Sequence, residues 1–217
     1  MKPSPEEVKQ VKRALDKVYL PSDLGNKRNP LDELAYIILS KQSMEEKCQE
    51  DYRNFKRTFP KWSMVAEAPV EVIQHSIWHS GLPKQNARYL KEISIRLKND
   101  LGEVSLRSLK HMRPPAAESY LISLPGVGKK TARCVLMYSL DRNVFPVDVH
   151  CQRIMQRLGW IDPKRLSAEA IADAAQECIP PNLRKPMHVR FVQHGRSICK
   201  PIPKCESCVI ATFCRRA

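Results

Sequence analysis

Residues 124–132 read Leu-Pro-Gly-Val-Gly-Lys-Lys-Thr-Ala, and Asp148 follows eighteen residues after Lys130. Glycine adopts positive φ and admits another surface close to the backbone, so Gly126 and Gly128 suit a tight turn. The N–H groups of a helix that starts at such a turn make an anion site. A loop of this kind grips a phosphate, with Lys129 and Lys130 beside it. If that phosphate belongs to DNA, the Lys130 amine is placed for chemistry on a sugar. Asp148 precedes a helical stretch, a position for an N-cap.

A second cluster closes the chain. Cys199, Cys205, Cys208 and Cys214 form C-x5-C-x2-C-x5-C. Four thiolates at this spacing ligate either zinc or a [4Fe–4S] cluster. One C-x2-C pair with two longer arms and no strand signal favours the cluster over a zinc ribbon. Lys200, Lys204, Arg215 and Arg216 surround these cysteines and predict a basic surface. Cys134 and Cys178 read as core residues, and Cys48 and Cys151 receive no role.

The elements that must position these groups read as helices almost throughout. Ser4-Pro5-Glu6-Glu7 resembles a capping box, followed by an apolar stripe of Val8, Val11, Leu15 and Val18. Asn29-Pro30 opens a second helix bearing Leu31, Leu34, Ala35, Ile38 and Leu39. Further helices are predicted over 44–58, 69–79, 83–99, 114–122, 129–140, 149–158, 167–178 and 186–196. Sustained two-residue alternation is absent, so the expected class is all-α.

The chain of 217 residues carries 37 Lys and Arg against 23 Asp and Glu, a net charge of +14. Basic residues recur along the whole length, which favours polyanionic partners, nucleic acid ahead of anionic membranes. No run approaches the roughly 18 apolar residues of a membrane span. No apolar leader follows the charged N-terminus, so the expectation is no signal peptide and a cytoplasmic protein, nucleoid-associated in a prokaryote. Eight cysteines in that setting point to a reducing compartment.

The glycine hairpin with Lys130 and Asp148, followed by the four-cysteine loop, resembles the helix–hairpin–helix DNA glycosylase superfamily, in its endonuclease III branch. The resemblance covers roughly residues 30–217. It rests on Leu39-Ser40-Lys41-Gln42, Ser80-Gly81-Leu82, residues 124–132, Pro146-Val147-Asp148-Val149-His150 and the cysteine loop.

The resemblance implies a two-domain all-α enzyme with DNA in the cleft between domains. Residues 28–141 would form a six-helix barrel domain, with the helix–hairpin–helix motif at about 114–140. Residues 1–27 plus 142–217 would form an iron–sulfur cluster domain, with the cluster loop at 199–214. The implied activity is base excision: a damaged or modified base, by expectation a pyrimidine, is flipped from duplex DNA and released.

The same resemblance makes Lys130 the nucleophile at C1′, with AP lyase activity on abasic DNA, and Asp148 its assistant. Gly126, Gly128 and Lys129 would contact the DNA backbone. Gln42 and Leu82 would fill the hole left in the duplex. A monomer is expected. The alternatives are a monofunctional adenine-type or mismatch glycosylase, or a non-catalytic DNA-binding protein. Ile37, standing where the adenine-type glutamate would be expected, and Lys130 argue against the first. Two departures stand out: five residues rather than six between the first two cysteines, and Glu45 where endonuclease III carries Asp.

Overall fold

The computed structural model describes residues 2–162 and 166–215. Along the chain run α1 (Pro5–Asp16), α2 (Pro30–Leu39), α3 (Glu45–Thr58), α4 (Trp62–Glu67), α5 (Val70–Ser76) and α6 (Pro83–Leu101). They are followed by α7 (Pro114–Ser123), α8 (Lys129–Tyr138), α9 (Val149–Arg157), α10 (Ala168–Cys178) and α11 (Arg184–Ser197). Short 3₁₀ turns connect some of them, and no strand occurs among the described residues. The all-α class expected from the periodicity is the class found. The six-residue α4 is an addition, too short to leave a periodic signal. No helix among the described residues is long and apolar enough to cross a membrane.

Helix starts follow the sequence chemistry. Ser4 caps α1 by accepting from the Glu7 N–H at 3.1 Å, with Pro5 in the first helical position. Asn29 Oδ1 caps α2 by accepting from Leu31 and Asp32, at 3.0 and 3.2 Å. Such caps are worth about 1 kcal/mol each. Val18 departs from the expected stripe. It lies beyond the end of α1 and is 55% exposed.

The described chain divides into two compact units, Asn26–Arg142 and a second made of Met1–Gly25 with Asn143–Ala217. In the first, α2 packs on α8, and α6 packs on α4 and α5. Its core includes Leu34, Ile38, Phe55, Ile73, Ile93, Leu97 and Val135, all at most 1% exposed. A part-buried ion pair, Arg133 Nε to Glu118 Oε1 at 2.9 Å, ties α8 to α7 across the intervening turn.

In the second unit α11 packs on α9 and α1. Val8, Val11, Leu15, Phe145, Ile154, Met155 and Phe191 fill its centre. Cys151 and Cys178 are buried there, while Cys48 and Cys134 are buried in the first unit. The core reading of Cys134 and Cys178 therefore extends to the other two.

Candidate functional site

The hairpin between α7 and α8 is held from beneath. Leu124 and Val127 are buried, and the Val127 N–H donates to the Leu124 carbonyl at 3.2 Å. Gly126 takes φ +72°, and a Cβ there would lie 2.4 Å from Cδ2 of Tyr89 on α6. Only glycine fits that combination. Gly128 behaves differently from the expectation. Its φ of −98° and ψ of 177° are extended backbone, open to any residue. A Cβ on Gly128 would meet no atom within 4 Å, so what glycine supplies there is open space for a partner to approach. Lys129 and Lys130 occupy the first turn of α8, which no side chain caps.

Lys41 was not assigned a role from the sequence. Its Nζ donates to the Gly126 carbonyl at 2.6 Å, across 85 residues of chain. Burial pulls the Lys41 pKa below its usual value, and the Lys130 charge pulls it further.

Gln42 and Leu82 come together on this unit. Gln42 is exposed and holds φ +53°, a left-handed conformation costly for a residue with a side chain. Leu82 is 37% exposed, so it is not an ordinary core leucine. A Cβ on Gly81 would lie 2.4 Å from the Gln42 carbonyl oxygen, which places the two backbones in contact. Asp51 on α3 fixes the approach to this loop. Its Oδ1 accepts from the His79 N–H at 3.2 Å and lies 3.1 Å from His79 Nδ1.

Asp148 lies in the other compact unit and caps α9. Its Oδ1 accepts from the His150 N–H at 3.0 Å and the Cys151 N–H at 2.8 Å. Burial alone would raise its pKa. The neighbouring His188 and the Cys151 N–H outweigh that effect and hold the carboxyl below the usual carboxylate range. His188 was not found from the sequence; its Nδ1 lies 3.0 Å from the Pro146 carbonyl and 3.4 Å from Cys151 Sγ. His150 is structural in its contacts: Arg153 donates to its Nδ1 at 2.9 Å, and burial keeps its pKa down.

All four C-terminal cysteines line one cavity of about 140 Å³, together with Arg157 and Lys204. Arg157 Nη1 donates to Cys199 Sγ at 3.1 Å, and His194 Nε2 lies 3.4 Å from Cys208 Sγ. Burial and the neighbouring thiols raise the Cys208 pKa against the pull of the Ile210 N–H. Among the described residues no three His, Cys, Asp or Glu side chains gather around a single-ion position. One tetrahedral ion needs sulfurs about 2.3 Å from a common point. Lys200, Lys204 and Arg215 are exposed around it, and Arg216 lies outside the described residues.

A family model described as HhH-GPD superfamily base excision DNA repair protein matches residues 35–181. An Arabidopsis thaliana protein provisionally named a DNA glycosylase is 35% identical over 172 residues, 78% of this chain and 58% of that one. The chain thus spans less than two thirds of that relative. Endonuclease III of Thermotoga maritima is 31% identical over 187 residues, covering 86% of this chain and 83% of that enzyme. Among solved structures, a trapped endonuclease III–DNA covalent intermediate superposes with a TM-score of 0.83. It covers 98% of this chain and 96% of that one at 23% identity, a likeness of fold.

Proposed function

We propose that this chain, which belongs to the HhH-GPD superfamily of base excision DNA repair proteins, is a bifunctional DNA glycosylase with AP lyase activity on duplex DNA carrying a damaged or modified pyrimidine. The observation that carries the reading is Lys130 in the first turn of α8, behind a hairpin open at Gly128.

In this reading the hairpin backbone, with Gly126, Gly128 and Lys129, holds DNA phosphates and fixes register without reading sequence. Gln42 and Leu82 enter the stack and replace the flipped nucleotide, whose loss costs a few kcal/mol. The Lys130 amine donates its lone pair to C1′. The glycosidic bond breaks, its electron pair leaves with the base, and the base takes up a proton. The amine sheds a proton, and the sugar ring opens with O4′ leaving C1′ and taking up a proton, which gives an iminium joining Lys130 to C1′. Loss of a C2′ proton then expels the 3′ phosphate by β-elimination. Asp148, ionised because its carboxyl is held below the usual range, steadies positive charge on the sugar and assists these proton transfers.

The test is a panel of duplexes with single oxidised, deaminated or methylated pyrimidines. The expected outcome is base release with strand cleavage from at least one pyrimidine lesion. Release without cleavage or covalent trapping points to a monofunctional enzyme. Tight binding without turnover of any substrate points to a DNA-binding module.

The cysteine loop fits a [4Fe–4S] cluster held by Cys199, Cys205, Cys208 and Cys214, which when bound supplies a rigid cross-link within a loop poor in regular structure. Arg157 donates to the Cys199 sulfur and to the carbonyls of Lys200 and Pro201, at 2.8 and 2.9 Å, and so shapes the loop around that cavity. Purified protein is expected to be brown, absorb at about 400 nm and carry about four irons per chain. Cys205→Ser should lower the iron content. Colourless protein with stoichiometric zinc contradicts the assignment.

A further inference from the structure

Three contacts within the Asn26–Arg142 unit, joined by the chain itself, close a circuit. Lys41 Nζ holds the Gly126 carbonyl at 2.6 Å. The Tyr89 ring lies against Gly126, so closely that a Cβ there would sit 2.4 Å from Cδ2. Tyr89 rides on α6, which begins at Pro83 immediately after Leu82. Gly81 returns the circuit to Gln42 by backbone contact, and Gln42 adjoins Lys41 in the chain.

The two side chains assigned to fill the DNA stack and the hairpin that presents Lys130 are thereby joined on both sides. The left-handed turn at Gln42, φ +53°, is the strained element of the ring. Such strain persists only where the surroundings hold it. Lys41 is a polar tie on the Gln42 side, as Arg96 of α6 is on the Leu82 side, donating to the Ser123 carbonyl at 2.6 Å and to Ser123 Oγ at 3.0 Å. Lys41 anchors the segment that carries Gln42 to the turn that precedes Lys130.

We infer that Lys41 is a positioning residue that couples insertion of Gln42 and Leu82 to presentation of the Lys130 amine, so that opening the duplex and attacking the sugar proceed as one event. The inference rests on the proposed glycosylase and lyase reading. Without the Lys41 tie, the wedge still enters the stack, but the hairpin follows it less closely. Interposed water and slack between hairpin and wedge then lengthen the search for the attacking geometry, a kind of misplacement that costs one to two orders of magnitude in rate.

The experiment follows both events on one substrate, using full-length protein with its cysteine loop intact and at saturating concentration. The substrate is a duplex bearing an abasic site with 2-aminopurine adjacent to it. Fluorescence reports unstacking, and borohydride quenching at matched times reports the iminium. In the wild type the two signals should rise with the same rate constant.

In Lys41→Met the fluorescence should rise with near-wild-type amplitude, while trapping lags by about tenfold or more. Lys41→Arg, which can still reach the Gly126 carbonyl, should restore part of the synchrony. A thermal melt and the fluorescence amplitude identify a misfolded variant, in which case Lys41→Arg against Lys41→Gln makes the same comparison. Equal slowing of both signals, or no change in either, overturns the coupling. A wild type that unstacks the duplex but never yields an adduct overturns the lyase reading itself, and the coupling falls with it.

Discussion

Lys130→Gln eliminates the borohydride-trapped adduct on abasic DNA and lowers base release on the order of 10³-fold or more, the scale of losing a nucleophile. Glutamine keeps the length and polarity of the side chain but has no nucleophilic lone pair at that position. The hairpin should survive the change, because its stability comes from buried Leu124 and Val127, from the Arg133–Glu118 pair and from the Tyr89 contact beneath Gly126. Binding to abasic duplex should therefore stay within a few-fold of wild type. Full-yield cross-linking in this variant would assign the chemistry to another amine, with Lys129 the first to examine.

Asp148→Asn separates two roles that the structure superimposes on one side chain. Asparagine caps helices about as well as aspartate, so α9 should keep its start, and only the carboxylate's charge interaction with His188 is lost from stability. The carboxylate charge is lost, and base release should fall by about 10² to 10⁴, the usual worth of acid–base assistance. Asp148→Ala should show the same catalytic loss and also a stability loss of about 1 kcal/mol from the missing cap.

The sign of the pH effect follows from the lowered carboxyl pKa. Its contribution to stability is present above the unfolded value of 3.8 and is lost as pH falls through the lower folded value. Near-wild-type turnover in Asp148→Asn, with urea midpoints ranking it above Asp148→Ala, would leave Asp148 as a cap alone.

Much of the architecture is legible in residue order because it depends on local chemistry. Ser4 and Asn29 announce helix starts, since their side chains bond N–H groups two or three residues away. The four cysteines that line one cavity are marked by spacing within a single short loop. Val18 misled because a periodic stripe does not reveal where a helix stops. Gly128 keeps the close-approach use of glycine without the positive φ, and the sequence does not tell which of the two a given glycine serves.

What stayed hidden depends on contacts distant in sequence. Lys41 meets Gly126 across 85 residues, and Tyr89 supports the same glycine from another helix. His188 on α11 adjusts Asp148 at the start of α9. None of these pairs leaves a periodicity or a motif, because each is created only when helices pack. The motif residues themselves could be singled out, but the groups that tune and tether them could not.

The central claim, that Lys130 attacks the sugar, is tested most directly by mapping the covalent adduct. Wild-type protein is trapped with borohydride on an abasic duplex, digested, and sequenced by mass spectrometry. The account predicts a single adduct whose mass lies on Lys130, absent from Lys130→Gln. An adduct on any other amine, or no adduct at all from protein that releases bases, would contradict it.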